Sequence, residues 1–257
     1  MSQLHVRKLS KTFGGVQALS KLDFSVDKGD LIGLIGPNGA GKTTAFNVLT
    51  GVMPASDGSV EFEGTDITRL SPERRAKLGM TRTFQNIRLF DDMTVRQNVM
   101  AGAHARAGRS LFHCVFGLPG HRQAERRIRD IADEMLERTG LTELAGRNAS
   151  ELSYGDRRRV EIARALAAAP TLLLLDEPAA GMNESEKGRL SELVRGLNED
   201  GLTILLVEHN VRMVAALCKR LIVVNKGEML ARGATEEVLR MPEVGAVYLG
   251  RRRKELV

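Results

Sequence analysis

The chain is poor in the residue types that mark secreted proteins and proteins that bind single-stranded nucleic acid. Its 257 residues include no tryptophan, and aromatic residues make up only 4% of the total. Because such nucleic acids are held by stacking the bases on aromatic side chains, this scarcity argues against a nucleic-acid partner. The two cysteines, Cys114 and Cys218, form neither a CxxC pair nor a metal-ligand cluster. We interpret both as free thiols in a reducing compartment.

Long apolar stretches are also missing. No run approaches the roughly 20 apolar residues that a membrane-spanning helix needs, and the longest runs, TLLLLDEP and TILLVEH, have the length of strands. The initial MSQLHVRKLSK lacks the apolar segment of a signal peptide, so we expect a protein kept in the cytosol. The formal charge of +6 comes from local clusters such as Arg157–Arg159 and 251–254, which we interpret as solvated helix faces and a charged tail.

The apolar pattern predicts an α/β chain with a helical interruption. Three early segments, QLHVRKLS, LDFSVD and GSVEFEGT, have strand character, and LIGLIG is a continuous apolar run typical of a buried strand. Strand signals vanish from about residue 86 to 150, where AERRIRDIADEMLERTG has helical spacing. After residue 165 strands and helices alternate, which predicts a parallel sheet with helices on its faces.

A glycine-rich segment follows the buried strand. GPNGAGKTT matches the GxxxxGK[ST] phosphate loop in the strand–loop–helix context that this motif requires. Its glycines let backbone N–H groups turn towards phosphate oxygens, Lys42 can reach the β- and γ-phosphates, and the Thr43 hydroxyl can ligate Mg²⁺. A glycine-rich turn alone would explain neither the lysine nor the threonines. The predicted ATP-binding residues of this loop are Gly36, Pro37, Asn38, Gly39, Ala40, Gly41, Lys42, Thr43 and Thr44.

Two acids end the apolar strand of TLLLLDEP. We expect Asp176 to hold Mg²⁺ through water and Glu177 to polarise the water that attacks the γ-phosphate. An acidic turn after a strand is the alternative interpretation, and the complete phosphate loop in the same chain argues against it.

The segment LSYGDRRRVEIARAL predicts an amphipathic helix with Ser153 as its cap and Asp156 in its first turn. Ser153 and Gly155 lie where amide groups would point outward. The pattern therefore indicates an anion site about a hundred residues after the phosphate loop, with no evident ligand in its own chain.

These segments, in this order, resemble the ATP-binding cassette (ABC) ATPases over essentially the whole chain. GPNGAGKTT corresponds to Walker A, Gln85 in RTFQN to the Q-loop glutamine, LSYGD to the signature, LLLDE to Walker B, AAGMN to the D-loop and His209 to the switch histidine. Phe13 occupies the place of the aromatic residue that stacks on adenine. The usual signature reads LSGGQ, so Tyr154 and Asp156 depart from it, and the D-loop departs at Gly181 and Asn183.

The resemblance implies the fold of a P-loop NTPase. We expect a RecA-like parallel-sheet core, an N-terminal antiparallel β subdomain and an inserted α-helical subdomain. A single ABC ATPase domain over 4–250 would consist of a nucleotide-binding core from 1–85 and 161–232, a helical subdomain from 86–160 and a C-terminal extension from 233–257.

The resemblance also assigns roles to residues, with MgATP bound between two cassettes. The implied catalytic residues are Glu177, His209 and Gln85, and the implied Mg²⁺ ligands are Thr43, Gln85 and Asp176. Ser153 and Gly155 would face the other cassette and complete the site of the partner's ATP, so the signature predicts a dimer.

Longer segments narrow the resemblance further. GMTRTFQNIRLFDDMTVRQNV and SYGDRRRVEIARALAAAPTLLLLDEPAAGMNESE resemble the ATPase subunits of bacterial importers for branched-chain amino acids. This implies a peripheral protein at the cytoplasmic face of the inner membrane, bound to two permease subunits and served indirectly by a periplasmic binding protein. Its ATPase partner would be a similar second cassette or, in isolation, a copy of itself.

Several alternatives stay open at this point. One is an importer for urea or short amides, and another is a lipopolysaccharide exporter, against which RTFQNIRLF argues. ABC proteins of DNA repair need a long coiled coil, and translation factors need two cassettes, so neither fits this chain. A non-hydrolysing scaffold would be expected to lack Glu177 or Lys42.

One segment suggests a contact surface. Apolar residues lie among basic ones in 103–121, and we hypothesise that part of this surface and the groove near Gln85 receive cytoplasmic helices of the permease. The apolar residues concerned are Leu111, Phe112, Val115, Phe116 and Leu118.

Overall fold

The fold is described from a computed structural model, which defines the backbone of residues 2–107 and 121–249. The chain forms two compact units. The first comprises Met1–Arg75, Leu174–Pro178 and Val194–Val257, and the second comprises Ala76–Leu173 and Ala179–Leu193. The finer subdomain boundaries expected from the sequence stay a prediction.

Strands and helices alternate strictly over residues 154–225 of the described chain. The strands are β1 (Ser2–Phe13), β2 (Val16–Asp27), β3 (Leu31–Ile35), β4 (Asp57–Phe62), β5 (Thr65–Asp66), β6 (Met80–Arg82), β7 (Leu172–Asp176), β8 (Thr203–Val207), β9 (Arg220–Asn225) and β10 (Glu228–Ala234). The helices are α1 (Lys42–Leu49), α2 (Pro72–Lys77), α3 (Val95–Ala107), α4 (His121–Arg138), α5 (Tyr154–Ala167), α6 (Glu184–Glu199), α7 (Val211–Leu217), α8 (Thr235–Arg240) and α9 (Pro242–Leu249). Short 3₁₀ turns lie at Thr142–Leu144 and Ala149–Glu151.

The first unit contains an antiparallel sheet and a largely parallel one. The N-terminal sheet has the order β2-β1-β4-β5, with β1 antiparallel to both of its neighbours. In the other sheet the order is β10-β9-β3-β8-β7, β3 runs parallel to β8 and β9, and β10 is an antiparallel edge. Every residue of β3 and β8 is buried, which fits the continuous apolar runs seen in the sequence. The predicted fold class is confirmed.

The second unit is mainly helical. Its helices α3, α4 and α5 pack together. Helix α3 approaches α5 so closely that a Cβ on Gly102 would lie 2.0 Å from the carbonyl oxygen of Arg164. The apolar face of α4 buries Ile128, Ala132 and Met135, as its helical spacing predicted. Within residues 2–107 and 121–249, no helix is both long and apolar enough to cross a membrane.

A buried arginine holds the end of the helix that follows the phosphate loop. Arg75, only 2% exposed, donates from Nη1 to the carbonyl oxygens of Val48 and Leu49 at the end of α1, at 2.8 and 2.5 Å. It also donates to the carbonyls of Thr68 and Leu70, each at 3.0 Å. Burial lowers the pKa of this guanidinium to about 10. A cation at the C-terminus of α1 also complements the helix dipole.

We predict that Arg75→Met lowers the free energy of unfolding by about 3 kcal/mol, because it leaves buried carbonyl oxygens without donors. Urea denaturation followed by circular dichroism measures the change. The exposed neighbour Arg74, changed to Met, is the matched control and should cost less than about 0.5 kcal/mol. A loss for Arg75→Met as small as that of the control would contradict this role.

Candidate functional site

The phosphate loop occupies residues 36–41, between β3 and α1. Gly39 and Gly41 adopt left-handed backbone conformations, with φ of 80° and 103°. A Cβ on Gly36 would lie 2.1 Å from the carbonyl oxygen of Val224, and one on Gly41 would lie 2.7 Å from that of Ala18. Neighbouring backbone therefore approaches the loop so closely that only glycine fits at these two positions.

Lys42 is the first residue of α1, and its side chain turns back over the loop. Its ammonium donates to the carbonyl oxygens of Gly36 at 2.7 Å and Pro37 at 3.2 Å. The residue is only 6% exposed. The loop thus presents a fixed cation at the N-terminus of a helix, an arrangement suited to phosphate.

The charge of Lys42 is set by burial and by nearby acids. Burial lowers the pKa of the ammonium below its usual value. Three carboxylates of the same unit act against this shift, in decreasing order those of Glu177, Asp176 and Glu208. The site therefore combines one buried cation with several acids, which is the balance that a bound anion with a divalent cation requires.

The two acids predicted at the strand end lie as expected. Asp176 is the last residue of β7 and is 1% exposed. Glu177 follows in a left-handed conformation, with φ of 45°, and its N–H donates to the carbonyl oxygen of Val207 at 2.9 Å. A non-glycine residue in this region costs of order 1 kcal/mol, and such strain clusters at functional sites.

His209 lies after β8 in the same unit, next to a fully buried acid. Its side chain is 57% exposed, whereas that of Glu208 is 0% exposed, and Nδ1 of His209 lies 3.8 Å from Oε2 of Glu208. The backbone N–H of His209 donates to the same oxygen at 3.2 Å. Asn210 then caps α7 by accepting from the N–H of Met213 at 3.1 Å. The cap and the acid together fix the backbone that presents the imidazole.

Phe13 stands at the end of β1, beside the turn formed by Gly14 and Gly15. The residue is 45% exposed, and the Lys11 ammonium lies 5.1 Å from the centroid of its ring. Val16, its cross-strand partner, is 70% exposed. The hairpin end thus offers an exposed apolar surface, which suits stacking on a base.

The signature helix begins in the second unit as the sequence predicts. Ser153 is exposed and caps α5, because its Oγ accepts from the N–H of Asp156 at 3.2 Å. Gly155 is buried, and a Cβ there would lie 2.7 Å from Oε1 of Glu186. Glu186 and Asn183 hydrogen-bond each other's backbone N–H and form a capping box at the start of α6. The signature therefore packs against the segment that follows the D-loop.

Both residues that depart from the usual signature have partners in their own unit. The ring of Tyr154 covers Gly181, since a Cβ on this left-handed glycine would lie 3.5 Å from the ring. The carboxylate of Asp156 accepts from Nη2 of Arg159 at 2.5 Å. Asp156 is thus paired with a cation of its own helix.

A buried ion pair anchors the backbone around Gln85 to the signature helix. Arg158, 0% exposed, donates to the carbonyl oxygens of Phe84 at 2.5 Å and Gln85 at 2.7 Å. It also binds Glu161 at 2.6 Å, and Glu161 accepts from the N–H of Phe84 at 3.1 Å. A weaker contact of 3.3 Å joins Arg158 to the hydroxyl of Tyr154. One side-chain network therefore links the Q-loop to the signature.

The Arg157–Arg159 run corrects one expectation from the sequence. We expected these charges to form a solvated helix face, but each arginine pairs with a different acid. Arg158 is fully buried with Glu161, while Arg157 pairs with Asp91 at 2.6 Å. The expectation was wrong because loops remote in sequence supply the acceptors that make burial possible.

The sequence profile of the family described as ABC transporter matches residues 19–180. The chain belongs to the ABC transporter family. It is 42% identical over 253 residues to the high-affinity branched-chain amino acid transport ATP-binding protein LivG of Salmonella typhimurium, covering 97% of this chain and 99% of LivG. It is 36% identical over 250 residues to the lipopolysaccharide export ATP-binding protein LptB of Escherichia coli, covering 97% and 98%.

A solved structure agrees with this assignment. The ADP conformation of MJ1267, an ATP-binding cassette of an ABC transporter, has a TM-score of 0.85 and 35% identity, covering 97% of this chain and 99% of that chain. The chain is therefore an ABC-type ATPase that binds nucleotide, and the resemblance inferred from the sequence motifs is confirmed.

The structure distributes the predicted site residues over both units. The first unit holds Phe13, residues 36–44, Asp176, Glu177 and His209. The second holds Gln85, whose side chain is exposed, and the signature residues Ser153 and Gly155. The individual roles of these residues stay predictions. The apolar residues at 111–118 lie outside the described residues, so the hypothesis about that surface stays one as well.

Three features of the site escaped prediction from the sequence. The exposure of Val16 beside Phe13 could not be predicted, because the sequence shows only an apolar residue in a strand with little alternation. Glu208 was not assigned to the site, although its position in VEHN, between a buried strand and His209, was a signal that could have indicated it. Arg158 and Glu161 have the i,i+3 spacing of a surface ion pair, so their burial could not be read from the helix alone.

Proposed function

We propose that this chain is the ATP-hydrolysing subunit of a bacterial importer for branched-chain amino acids. The observation that carries the proposal is the likeness to LivG, which extends over nearly the full length of both proteins. Lipopolysaccharide export is the second candidate, on the weaker likeness to LptB.

The phosphate loop and its surroundings fit MgATP. Neighbouring backbone leaves no room for a Cβ at Gly36 and Gly41. The left-handed backbone at Gly39 and Gly41 lets loop N–H groups turn towards phosphate oxygens, and Lys42 supplies the buried cation. For Mg²⁺, the proposed holders are the Thr43 hydroxyl in the first turn of α1, the buried carboxylate of Asp176 and the amide oxygen of Gln85. These are the oxygen ligands that Mg²⁺ prefers. When bound, the ion would neutralise charge on the β- and γ-phosphates.

Hydrolysis would depend on Glu177 and His209. The carboxylate of Glu177, next to Asp176, would accept a proton from the attacking water, and the imidazole of His209 would stabilise charge on the γ-phosphate. The left-handed backbone at Glu177 supports this role, because it turns the chain away from the strand direction immediately after the buried acid. Phe13 would stack on the adenine ring.

The signature would act on a second cassette. Ser153 is exposed and begins a helix of 14 residues, so its hydroxyl and the N–H of Gly155 are suited to meet a phosphate supplied from outside the chain. We propose that each ATP is held between the phosphate loop of one subunit and the signature of the other. The partner is a similar ATPase, or a copy of this chain when it is isolated.

Closure of the two cassettes on ATP, and their reopening after hydrolysis, would drive alternating access in two membrane permease subunits. The chain would lie at the cytoplasmic face of the inner membrane. A periplasmic binding protein would deliver the substrate to the permease subunits without contacting this chain.

Reconstitution tests this proposal. The chain is assembled in proteoliposomes with permease subunits and a binding protein sought among its neighbouring genes, and ATP hydrolysis is measured. We predict at least a severalfold stimulation by the binding protein loaded with leucine, isoleucine or valine, and none by the protein exposed to urea or short amides. Stimulation by urea alone, or assembly with lipopolysaccharide-extracting permeases instead, would contradict the substrate assignment.

A further inference from the structure

An acid lies in the proposed phosphate-binding turn. Asp156 is three residues from Ser153, and its N–H is bonded to the Ser153 hydroxyl, so the carboxylate emerges within one helical turn, about 5 Å along the axis, of that hydroxyl. This is well inside the Debye length of about 8 Å at physiological salt. A free carboxylate here would repel the negatively charged γ-phosphate that the signature is proposed to receive.

Arg159 cancels this charge and is itself held in place. Its Nη2 donates to Oδ1 of Asp156 at 2.5 Å, while its Nη1 donates to the carbonyl oxygens of Thr139 at 3.0 Å and Gly140 at 3.1 Å. Both side chains are mostly buried, 18% exposed for Arg159 and 23% for Asp156. The pair is therefore better ordered and less screened than a surface ion pair.

Neighbouring arginines are engaged elsewhere. Arg157 donates to Asp91 and to the carbonyl oxygen of Ala149, and Arg158 is committed to Glu161 and the Q-loop backbone. Within the second unit, Arg159 is thus the member of the run that faces Asp156. Its carbonyl contacts fix it to the chain that follows α4, so it holds the carboxylate back along α5.

We infer that Arg159 is a positioning residue of the signature, which neutralises Asp156 and turns its carboxylate aside so that Ser153 and Gly155 can receive the partner's γ-phosphate. The inference rests on the proposed function, in which the signature completes the site of the other cassette. It explains how a signature with an acid in place of the usual glutamine remains compatible with ATP.

The test uses the full chain with Glu177→Gln, in which the ATP-bound dimer is expected to accumulate. The dissociation constant of that dimer with MgATP is measured by sedimentation, for the parent and after adding Arg159→Met. We expect Arg159→Met to raise it about 100-fold, about tenfold for the unmasked like charge at each of the two sites in the dimer at partial screening. Binding of a fluorescent ATP analogue to the monomer should stay within about twofold, because Arg159 lies outside the phosphate loop's unit.

Rescue distinguishes charge compensation from a merely structural contact. Asp156→Asn added to Arg159→Met should restore the dimer to within about twofold of the parent, because it removes the unmasked charge without restoring the bonds to Thr139 and Gly140. Arg157→Met removes an equal charge from the same turn but leaves the Asp156–Arg159 pair intact, so it should weaken the dimer less than about threefold. Thermal unfolding midpoints check that each variant is folded.

The outcomes separate the two levels of the proposal. An unchanged dimer with Arg159→Met, or a weakened one that Asp156→Asn does not restore, would overturn the role of Arg159 and leave the cassette dimer standing. Failure of the Glu177→Gln parent to dimerise with ATP would overturn the proposed dimer, and this inference with it.

Discussion

Glu177→Gln is expected to reduce the rate of ATP hydrolysis about 10³-fold, the usual contribution of a positioned general base. Glutamine keeps the size and hydrogen-bonding capacity of the side chain but cannot accept the proton of the attacking water. The backbone of Glu177 is held by a hydrogen bond to Val207, which the substitution leaves intact. ATP binding should therefore stay close to normal, and the closed dimer should accumulate because hydrolysis no longer opens it.

Steady-state phosphate release and equilibrium binding of ATP separate these two effects. Glu228→Gln, at an exposed position in β10, removes a carboxylate of the same unit and should hydrolyse ATP at the parental rate. Near-normal turnover by Glu177→Gln would falsify the assignment of the base.

Lys42→Met is expected to weaken ATP binding about 100-fold, equivalent to about 2.7 kcal/mol. The ammonium is held over the loop by two carbonyl oxygens and is almost wholly buried. A phosphate gains from it a charge-assisted bond in a place that water screens poorly. Methionine preserves most of the side-chain volume but supplies no charge and no donor, so the loop backbone alone must hold the phosphates.

Titration calorimetry with MgATP measures this loss directly. Lys219→Met, which removes an exposed lysine from the same unit, is the matched control and should bind ATP within about twofold of the parent. A Lys42→Met protein that binds ATP as tightly as this control would show that the lysine does not contact the phosphates.

The parts of the fold and site that could be predicted from the sequence are those fixed by short segments. LIGLIG is apolar throughout and ends in a glycine loop with a lysine, so a buried strand, a phosphate loop and a helix follow from about fifteen consecutive residues. The acids after TLLLL lie at a strand end for the same local reason. The cap at Ser153 could be predicted because a serine stands just before an acid and a run of apolar residues at helical spacing.

The remaining features depend on segments that meet only in the folded chain. Arg158 is buried because the backbone of Phe84, 74 residues earlier, supplies its acceptor. Arg75 is buried because it reaches the end of α1, with Leu49 lying 26 residues before it. Such charges look like surface residues in a sequence, since nothing local indicates where their carbonyl partners will be.

Tyr154 illustrates the same limit within the signature. From the sequence it was a departure with no evident purpose, and in the structure its ring covers Gly181 of the D-loop. Two of the departures from the family pattern, Tyr154 and Gly181, therefore lie against each other. The contact between Tyr154 and Gly181 can be seen only in the folded second unit, where the signature and the D-loop meet.

The claim that each ATP site is shared between two chains is tested most directly by mixing two inactive variants. Lys42→Met keeps an intact signature, and Ser153→Arg keeps an intact phosphate loop while its bulk, at an exposed position, blocks the signature. If sites are shared, half of the dimers in an equal mixture are mixed, and each of these has one intact site of two. ATP hydrolysis should then recover to about a quarter of the parental rate. If each site lies within one chain, neither variant contributes a complete site, and the mixture will stay as inactive as its components.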